Sequence, residues 1–182
     1  MKERESSAGR LLSKILRHEP ALAGIRLDRY GWANVGELIK GIQKMEPFSR
    51  KQLEEIVQND EKERYSFDSS RTKVRANYGH SIPVEPITAP QAPPEFLWHG
   101  SAVKFKASIK REGLRPKTRE YVHLSSDLET AQAVGERHGA PVIYQVMSGQ
   151  MFRDGFLFYP LPRGMWMTKT VPLKYLRFHS TF

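Results

Sequence analysis

The sequence predicts an α+β protein built from two compact halves, and three observations predict it. The chain has 182 residues, the length of one large domain or two small ones. Pro83, Pro86, Pro90, Pro93 and Pro94 crowd into one short stretch, where they disfavour helix and remove sheet donors. Apolar spacing is mostly helical before that stretch; after it, strands alternate with helices and then dominate. The expected organisation is a first lobe over residues 1–82, a Pro-rich linker over 83–94 and a second lobe over 95–182.

In the first lobe, Leu11, Leu12, Ile15 and Leu16 recur at helical spacing after the possible caps Ser6 and Ser7, and Pro20 stops the helix. Asn34 can cap a second helix carrying Val35, Leu38, Ile39 and Ile42. Ser49 and Gln52 match a capping box, with Leu53, Ile56 and Val57 as the core face behind it. Tyr65–Phe67 and Thr72–Arg75 read as strands around a turn at Asp68-Ser69-Ser70. Three helices followed by a hairpin is the order of a winged-helix module, although fold alone does not establish nucleic-acid binding.

The second lobe opens with a strand at Phe96–His99. A helix over Ala102–Arg111 should end at Gly113. Tyr121–Leu124 reads as a strand. Ser126 with Glu129 suggests a capping box before a helix reaching about His138. Pro141–Met147, Gly155–Phe158, Gly164–Thr168 and Tyr175–Phe178 read as further strands. The expectation for this half is a mostly antiparallel sheet with few helices.

Composition narrows the function. Lys and Arg number 29 against 20 Asp and Glu, for a net charge of +9. A field of that sign concentrates polyanions, so nucleic acid or a phosphorylated ligand is a reasonable partner. There is no cysteine, hence no disulfide framework and no thiolate metal site. Six histidines are available, but no H-x-x-x-H helix pair is visible, so no metal is expected. The start, Met1-Lys2-Glu3-Arg4-Glu5, is charged and no signal-type apolar region follows it. No apolar run approaches the ~18 residues of a membrane span. A cytoplasmic monomer is the expectation.

Four clusters carry possible chemistry. In Leu16-Arg17-His18-Glu19-Pro20, Arg and His either complement the negative end of a helix dipole or clamp a phosphate. In Arg75-Ala76-Asn77-Tyr78-Gly79-His80-Ser81, the basic residue is either solvated or touches a nucleic-acid backbone. In Leu97-Trp98-His99-Gly100-Ser101, Gly permits close approach of a ligand and Ser can bond it, but His at a strand end is often structural. In Arg119-Glu120-Tyr121-Val122-His123-Leu124-Ser125, alternation turns His123 away from Val122 and Leu124. There it is either a satisfied core histidine or one that a ligand satisfies.

Taken in order, LRHEP, LDRYGW, VRANYGHS, LWHGS, GLRP, REYVHLS and GMWMTKTVP resemble the KptA/Tpt RNA 2′-phosphotransferase family. The resemblance runs from about residue 11 to 178. It implies a winged-helix lobe followed by an ADP-ribosyltransferase-like lobe. It implies that Arg17, His18, Arg75 and Arg119 form the catalytic set, and that His99 and His123 bind NAD. Gly100, Ser101 and Ser125, beside them, would help hold the dinucleotide. His80 and Ser81 fall in the family's GHS motif without an assigned role. Tyr78 stands where many members have Gln, and Tyr121 where many have His. Ser101 replaces Thr, Trp98 replaces Tyr, and Met165 and Met167 flank Trp166 where VWL is commoner.

The resemblance also implies a reaction. The partner is an RNA bearing a 2′-phosphate; tRNA with a splice-junction phosphate is the family's eukaryotic context. NAD is consumed as co-substrate. The RNA phosphate attacks the anomeric carbon of the nicotinamide ribose and nicotinamide leaves. The ribose 2″-hydroxyl then attacks that phosphate, freeing 2′-OH RNA and ADP-ribose 1″,2″-cyclic phosphate. His18 is the candidate to protonate the leaving RNA 2′-oxygen or to orient the phosphate. Arg17, His18 and Arg75 are expected to meet Arg119 across an interlobe cleft. Two other readings stand beside this one: an ADP-ribosyltransferase acting on nucleic-acid ends or protein, and a non-catalytic basic winged-helix binding protein.

Overall fold

A computed structural model describes residues 6–181, so the charged start at residues 1–5 lies outside the described residues. The chain is α+β, and its strands pair antiparallel throughout. It divides into two compact units between residues 87 and 88. The Pro-rich stretch is shared between them. Glu85 N–H donates to the Arg29 carbonyl within the first unit, and Gln91 N–H donates to the Phe158 carbonyl within the second.

The first unit begins with α1, Ser7–Arg17, capped by the Ser6 side chain, which accepts from Gly9 N–H. A 3₁₀ turn starts at Pro20. Helix α2, Val35–Ile42, is capped by Asn34, and α3, Arg50–Gln58, by the full Ser49–Gln52 box. Strands β2, Tyr65–Phe67, and β3, Lys73–Ala76, form the expected hairpin. A short strand absent from the sequence reading, β1 at Trp32–Asn34, joins the other edge of β3, giving the order β1-β3-β2. Leu12, Ile15, Leu16, Leu38, Ile42, Leu53 and Val74 lie in its core. The core therefore holds the end of α1 beside the end of β3, the two places where Arg17 and Arg75 sit.

The second unit carries a six-stranded sheet in the order β7-β8-β5-β4-β6-β9. Its central strands are β4, Leu97–Ala102, and β5, Val122–Ser125; β6, Pro141–Val146, flanks β4. Outer strands are β7, Tyr159–Leu161, β8, Met165–Thr168, and β9, Leu176–Thr181. Helix α5, Leu128–Glu136, packs on β4. A Cβ on Gly100 would overlap the Ala131 carbonyl oxygen of that helix. Gly100 thus permits helix and sheet backbones to touch. No helix among the described residues is long and apolar enough to cross a membrane.

Four expectations for this half need correction. The helix expected from Ala102 starts later: Ala102 ends β4 paired with Pro141, a 3₁₀ turn follows, and α4 spans Lys106–Glu112. The cap of α5 is Asp127, whose carboxylate accepts from Thr130 N–H, because Ser126 donates instead to the Gly164 carbonyl. Residues 155–158 are no strand. They follow an unanticipated helix α6, Ser148–Arg153, and Gly155 takes φ 93° as the chain turns away. Tyr175 likewise lies in a 3₁₀ turn, and β9 begins one residue later.

Candidate functional site

Two groups of polar side chains stand out, one in each unit. The first gathers at the C-terminal end of α1. Arg17 is its last helical residue and His18 its cap, with the His18 N–H bonded to the Lys14 carbonyl. The loop after β3 returns to this point. Gly79, at φ 88°, turns it and leaves room for the Arg17 guanidinium, whose nearest atoms lie 3.6 Å from where a Cβ would be. Ser81 N–H then donates to the Arg17 carbonyl at 3.0 Å, and Ser81 Oγ lies 2.8 Å from His18 Nδ1. Ser81 is thereby bonded to two consecutive residues, Arg17 and His18, at one helix end.

Aromatic rings line the same group. The Arg17 guanidinium lies over Tyr78 at 5.3 Å and over Tyr65 at 5.8 Å from the ring centroids. Arg75, on β3, lies over Trp32 of β1 at 5.6 Å, a pairing set by the register Trp32↔Arg75. Such contacts hold a cation by its attraction to the ring face, worth about 0.5–1 kcal/mol where exposed and more when desolvated. Arg75 is only 4 % exposed. Its Nε donates to the Ala76 carbonyl at 3.1 Å, and its Nη1 is buried with no hydrogen-bond partner among the described residues. Burial pushes its pKa down to about 10, against a smaller opposing pull from Asp28, so it stays charged at neutral pH.

His80 is the counterpoint. Burial, then the charges of Arg75, Arg17 and His18, push its pKa down to about 3, so it is neutral at pH 7. The cluster therefore joins permanent cations to a histidine that adds no charge. A buried guanidinium with an unmet donor is costly unless an anion or another acceptor completes it. The arrangement is suited to a phosphate group.

The second group lies on β4 and β5. His99 Nδ1–H donates to the His123 carbonyl at 3.1 Å, and His123 Nδ1–H donates to the Tyr121 carbonyl at 3.1 Å. In each ring the bond from Nδ1 leaves Nε2 as the nitrogen not engaged with that carbonyl. Burial holds His99 below the usual imidazole value, and the charges of His138 and Arg119 act in the same direction against its hydrogen bond to His123. Val122 and Leu124 belong to the core while His123 is half-buried, as alternation requires. Ser101 and Ser125 are both buried, and Ser125 Oγ donates to Met165 Sδ at 3.3 Å. Gly100 turns its open side to α5. Arg119 is exposed in the loop that leads into β5.

The structure thus brings Arg17, His18 and Arg75 together in the first unit, and His99 and His123 together in the second. Sequence reasoning missed Trp32, Tyr65 and Ser81 as partners of the cationic group. It also missed Tyr144, which pairs with His99 across β4 and β6 and whose buried hydroxyl has no hydrogen-bond partner among the described residues. Apart from the lone hydroxyl in the apolar run Pro141–Val146, no sequence signal marks it. Among the described residues no group of His, Asp or Glu is placed to hold a metal ion.

Comparison with known proteins follows the same residues. The model of the family described as RNA 2′-phosphotransferase, Tpt1 / KptA family, matches residues 3–170. A Flavobacterium johnsoniae protein named "Probable RNA 2'-phosphotransferase" is 46 % identical, covering 96 % of each chain. A Nostoc punctiforme protein of the same name is 44 % identical over 91 % of this chain and 92 % of its own. One from Pectobacterium carotovorum is 40 % identical over 95 % and 94 %. A match over almost the whole chain, with both polar groups inside it, shows that the chain belongs to the Tpt1 / KptA family of RNA 2′-phosphotransferases.

Proposed function

We propose that this protein is an NAD-dependent RNA 2′-phosphotransferase. The observation that carries the reading is the group of Arg17, His18 and Arg75, in which a buried, charged guanidinium keeps a hydrogen-bond donor without a partner. The names of the relatives supply the chemical class of the phosphate, an RNA 2′-phosphate. On this reading the first unit is a winged-helix lobe that presents the RNA, and the second is an ADP-ribosyltransferase-like lobe that holds NAD.

The second group supports the NAD assignment by its chemistry. His99 and His123 are oriented by backbone carbonyls, so their rings have fixed directions and offer Nε2 to ribose or amide groups. The orphaned Tyr144 hydroxyl beside His99 is a further donor suited to a polar ligand. Ser101 and Ser125 would contribute mainly through their backbone and the tight packing around them, since both side chains are buried. NAD, consumed as co-substrate, supplies the ADP-ribosyl group that captures the RNA phosphate and leaves as ADP-ribose 1″,2″-cyclic phosphate.

Each residue has a task in the two transfers. In the first, a phosphate oxygen of the RNA bonds to the anomeric carbon while the bond to nicotinamide breaks; positioning by His99 and His123 matters most there. In the second, the ribose 2″-oxygen bonds to phosphorus, its proton passes to solvent, and the bond to the RNA 2′-oxygen breaks. His18 donates the proton that the RNA 2′-oxygen takes up. Arg17, Arg75 and Arg119 stabilise the charge that shifts among the phosphate oxygens.

One assay tests this. The protein is incubated with NAD and a short RNA bearing one internal 2′-phosphate, and RNA and small molecules are followed by mass spectrometry. Loss of the phosphate with appearance of ADP-ribose 1″,2″-cyclic phosphate is expected. Binding of NAD with unchanged RNA overturns the proposed acceptor, and a stable ADP-ribosyl product on RNA or protein identifies a different transferase.

A further inference from the structure

Beyond that catalytic set, we propose that Ser81 is a positioning residue that fixes the ring of His18 for proton donation through Nε2. The inference rests on the assignment of His18 above. Position comes first. His18 is the cap of α1, so its backbone is held by its bond to the Lys14 carbonyl, and the direction of its ring is then set by rotation about two side-chain bonds. Ser81 Oγ, 2.8 Å from Nδ1, restrains that rotation. Ser81 is itself anchored to the residue just before His18, because its N–H donates to the Arg17 carbonyl. The hydroxyl is thus tied to the very backbone from which the imidazole extends.

Protonation follows from the geometry. With Nδ1 committed to Ser81, Nε2 is the ring atom that meets a phosphate or a leaving oxygen. In the imidazolium form Nδ1–H donates to Oγ, and Nε2–H is the proton to be delivered. Once that proton has gone, a hydroxyl can stay bonded in either sense, because it both accepts and donates. A carboxylate in this place would stabilise the imidazolium and hold back its proton. A hydroxyl orients the ring without that penalty. Arg17, on the same helix end, and His80, in the same returning loop, have their own tasks of charge and packing and cannot substitute for Ser81.

The alternative is that Ser81 only ties down the loop. Ser81→Ala separates the two, since it keeps the N–H bond to the Arg17 carbonyl and removes only Oγ. Ring ¹⁵N resonances of His18, assigned with His18→Gln, would be recorded in the full chain for the wild type, Ser81→Ala and Ser81→Thr. The wild type and Ser81→Thr should show a hydrogen-bonded Nδ1, and Ser81→Ala a redistributed tautomer pair. In single turnover, Ser81→Ala should slow release of RNA from the ADP-ribosylated intermediate roughly 3- to 10-fold, the worth of one such bond. Formation of that intermediate should change less than about twofold, and Ser81→Thr should restore the release rate. Unchanged ring resonances in Ser81→Ala overturn the proposal, as does equal slowing of both steps. If the wild type fails to act on 2′-phosphorylated RNA, the functional reading falls, and the ring resonances still decide whether Ser81 orients His18. Should Ser81→Ala not fold, the wild-type Nδ1 resonance and Ser81→Cys, a weak partner of similar size, give the same decision.

Discussion

The two polar groups are built on opposite plans. In the first unit, charge is gathered: Arg17 and Arg75 lie against aromatic faces, His80 is kept neutral, and Arg75 is buried with a donor to spare. In the second, direction is what the backbone supplies, with each histidine donating from Nδ1 to a neighbouring carbonyl. A cluster of the first kind is suited to a compact, multiply charged anion whose charge moves during reaction. A pair of the second kind is suited to an extended ligand that must be aligned, with little change of charge at the protein. The difference separates the proposed chemistry into two halves that substitutions can uncouple.

The largest expected effect breaks the first plan. Arg17→Ala, His18→Ala and Arg75→Ala each remove a charged hydrogen-bonding group, worth roughly 1.5–3 kcal/mol. Each should slow the second transfer on the order of 10- to 150-fold, and more where the three act as a unit. ADP-ribosylated RNA should accumulate in all three, read by gel or mass spectrometry. Equal loss of nicotinamide release, with no intermediate, would sink the division of labour.

Next in size is the neutral histidine that lets the cations stand so close. His80 has a folded pKa of about 3, well below the ordinary imidazole value. Between about pH 6.5 and 3 the unfolded chain therefore binds a proton that the folded chain refuses, and stability falls as pH drops through that window. At pH 5 the loss from this group is about 2 kcal/mol. The groups that face it are Arg75, Arg17 and His18, all of which oppose a further charge. Urea denaturation at pH 7.5 and pH 5.0 should show the wild type losing about 2 kcal/mol more than His80→Gln across that interval. Parallel losses in the two proteins would mean that His80 is not held neutral.

Much of the scaffold behind this comparison is legible in the sequence, because it is local. Ser6, Asn34 and the Ser49–Gln52 box cap helices through bonds spanning three residues, which spacing reveals. Strand β1 was not legible: it has three residues, and its partner β3 lies some forty positions away. Helix α6 has six residues and begins with the weak helix formers Ser148-Gly149, so its start is set by tertiary contacts; Ser148 Oγ donates to the Pro94 carbonyl. The site divides in the same way. Residue types and order mark Arg17, His18, Arg75, His99 and His123. The union of Arg17 and His18 with Tyr78 and Ser81 depends on a chain reversal that periodicity does not encode.

Smaller effects sharpen the second plan. His99→Ala and His123→Ala each remove a ring oriented by a backbone carbonyl, whose hydrogen bond is worth about 0.5–1.5 kcal/mol. NAD affinity by calorimetry should fall roughly 2- to 12-fold in each, and the first transfer should slow by a similar factor. The ratio of second to first step should change little. A preferential loss of the second step in His99→Ala or His123→Ala would show that the two groups are not chemically distinct.

The smallest expected effect belongs to a residue at which this chain departs from the pattern it resembles. Tyr78 lies in reach of the Arg17 guanidinium, and its hydroxyl donates to the Lys62 carbonyl at 2.6 Å, which anchors the ring. Tyr78→Gln removes the ring face and keeps a polar side chain, while Tyr78→Phe keeps the face and loses the anchor. A ring contact of this kind is worth about 0.5–1 kcal/mol, so Tyr78→Gln should slow the second transfer about 2- to 5-fold, and Tyr78→Phe less. The direction matters more than the size. If the guanidinium is held by the ring, the loss appears in the rate of release and not in the affinity for NAD, and Tyr78→Phe lies between wild type and Tyr78→Gln. If Tyr78→Phe is the worse of the two, the ring face contributes nothing, and the tyrosine acts by fixing the loop through Lys62.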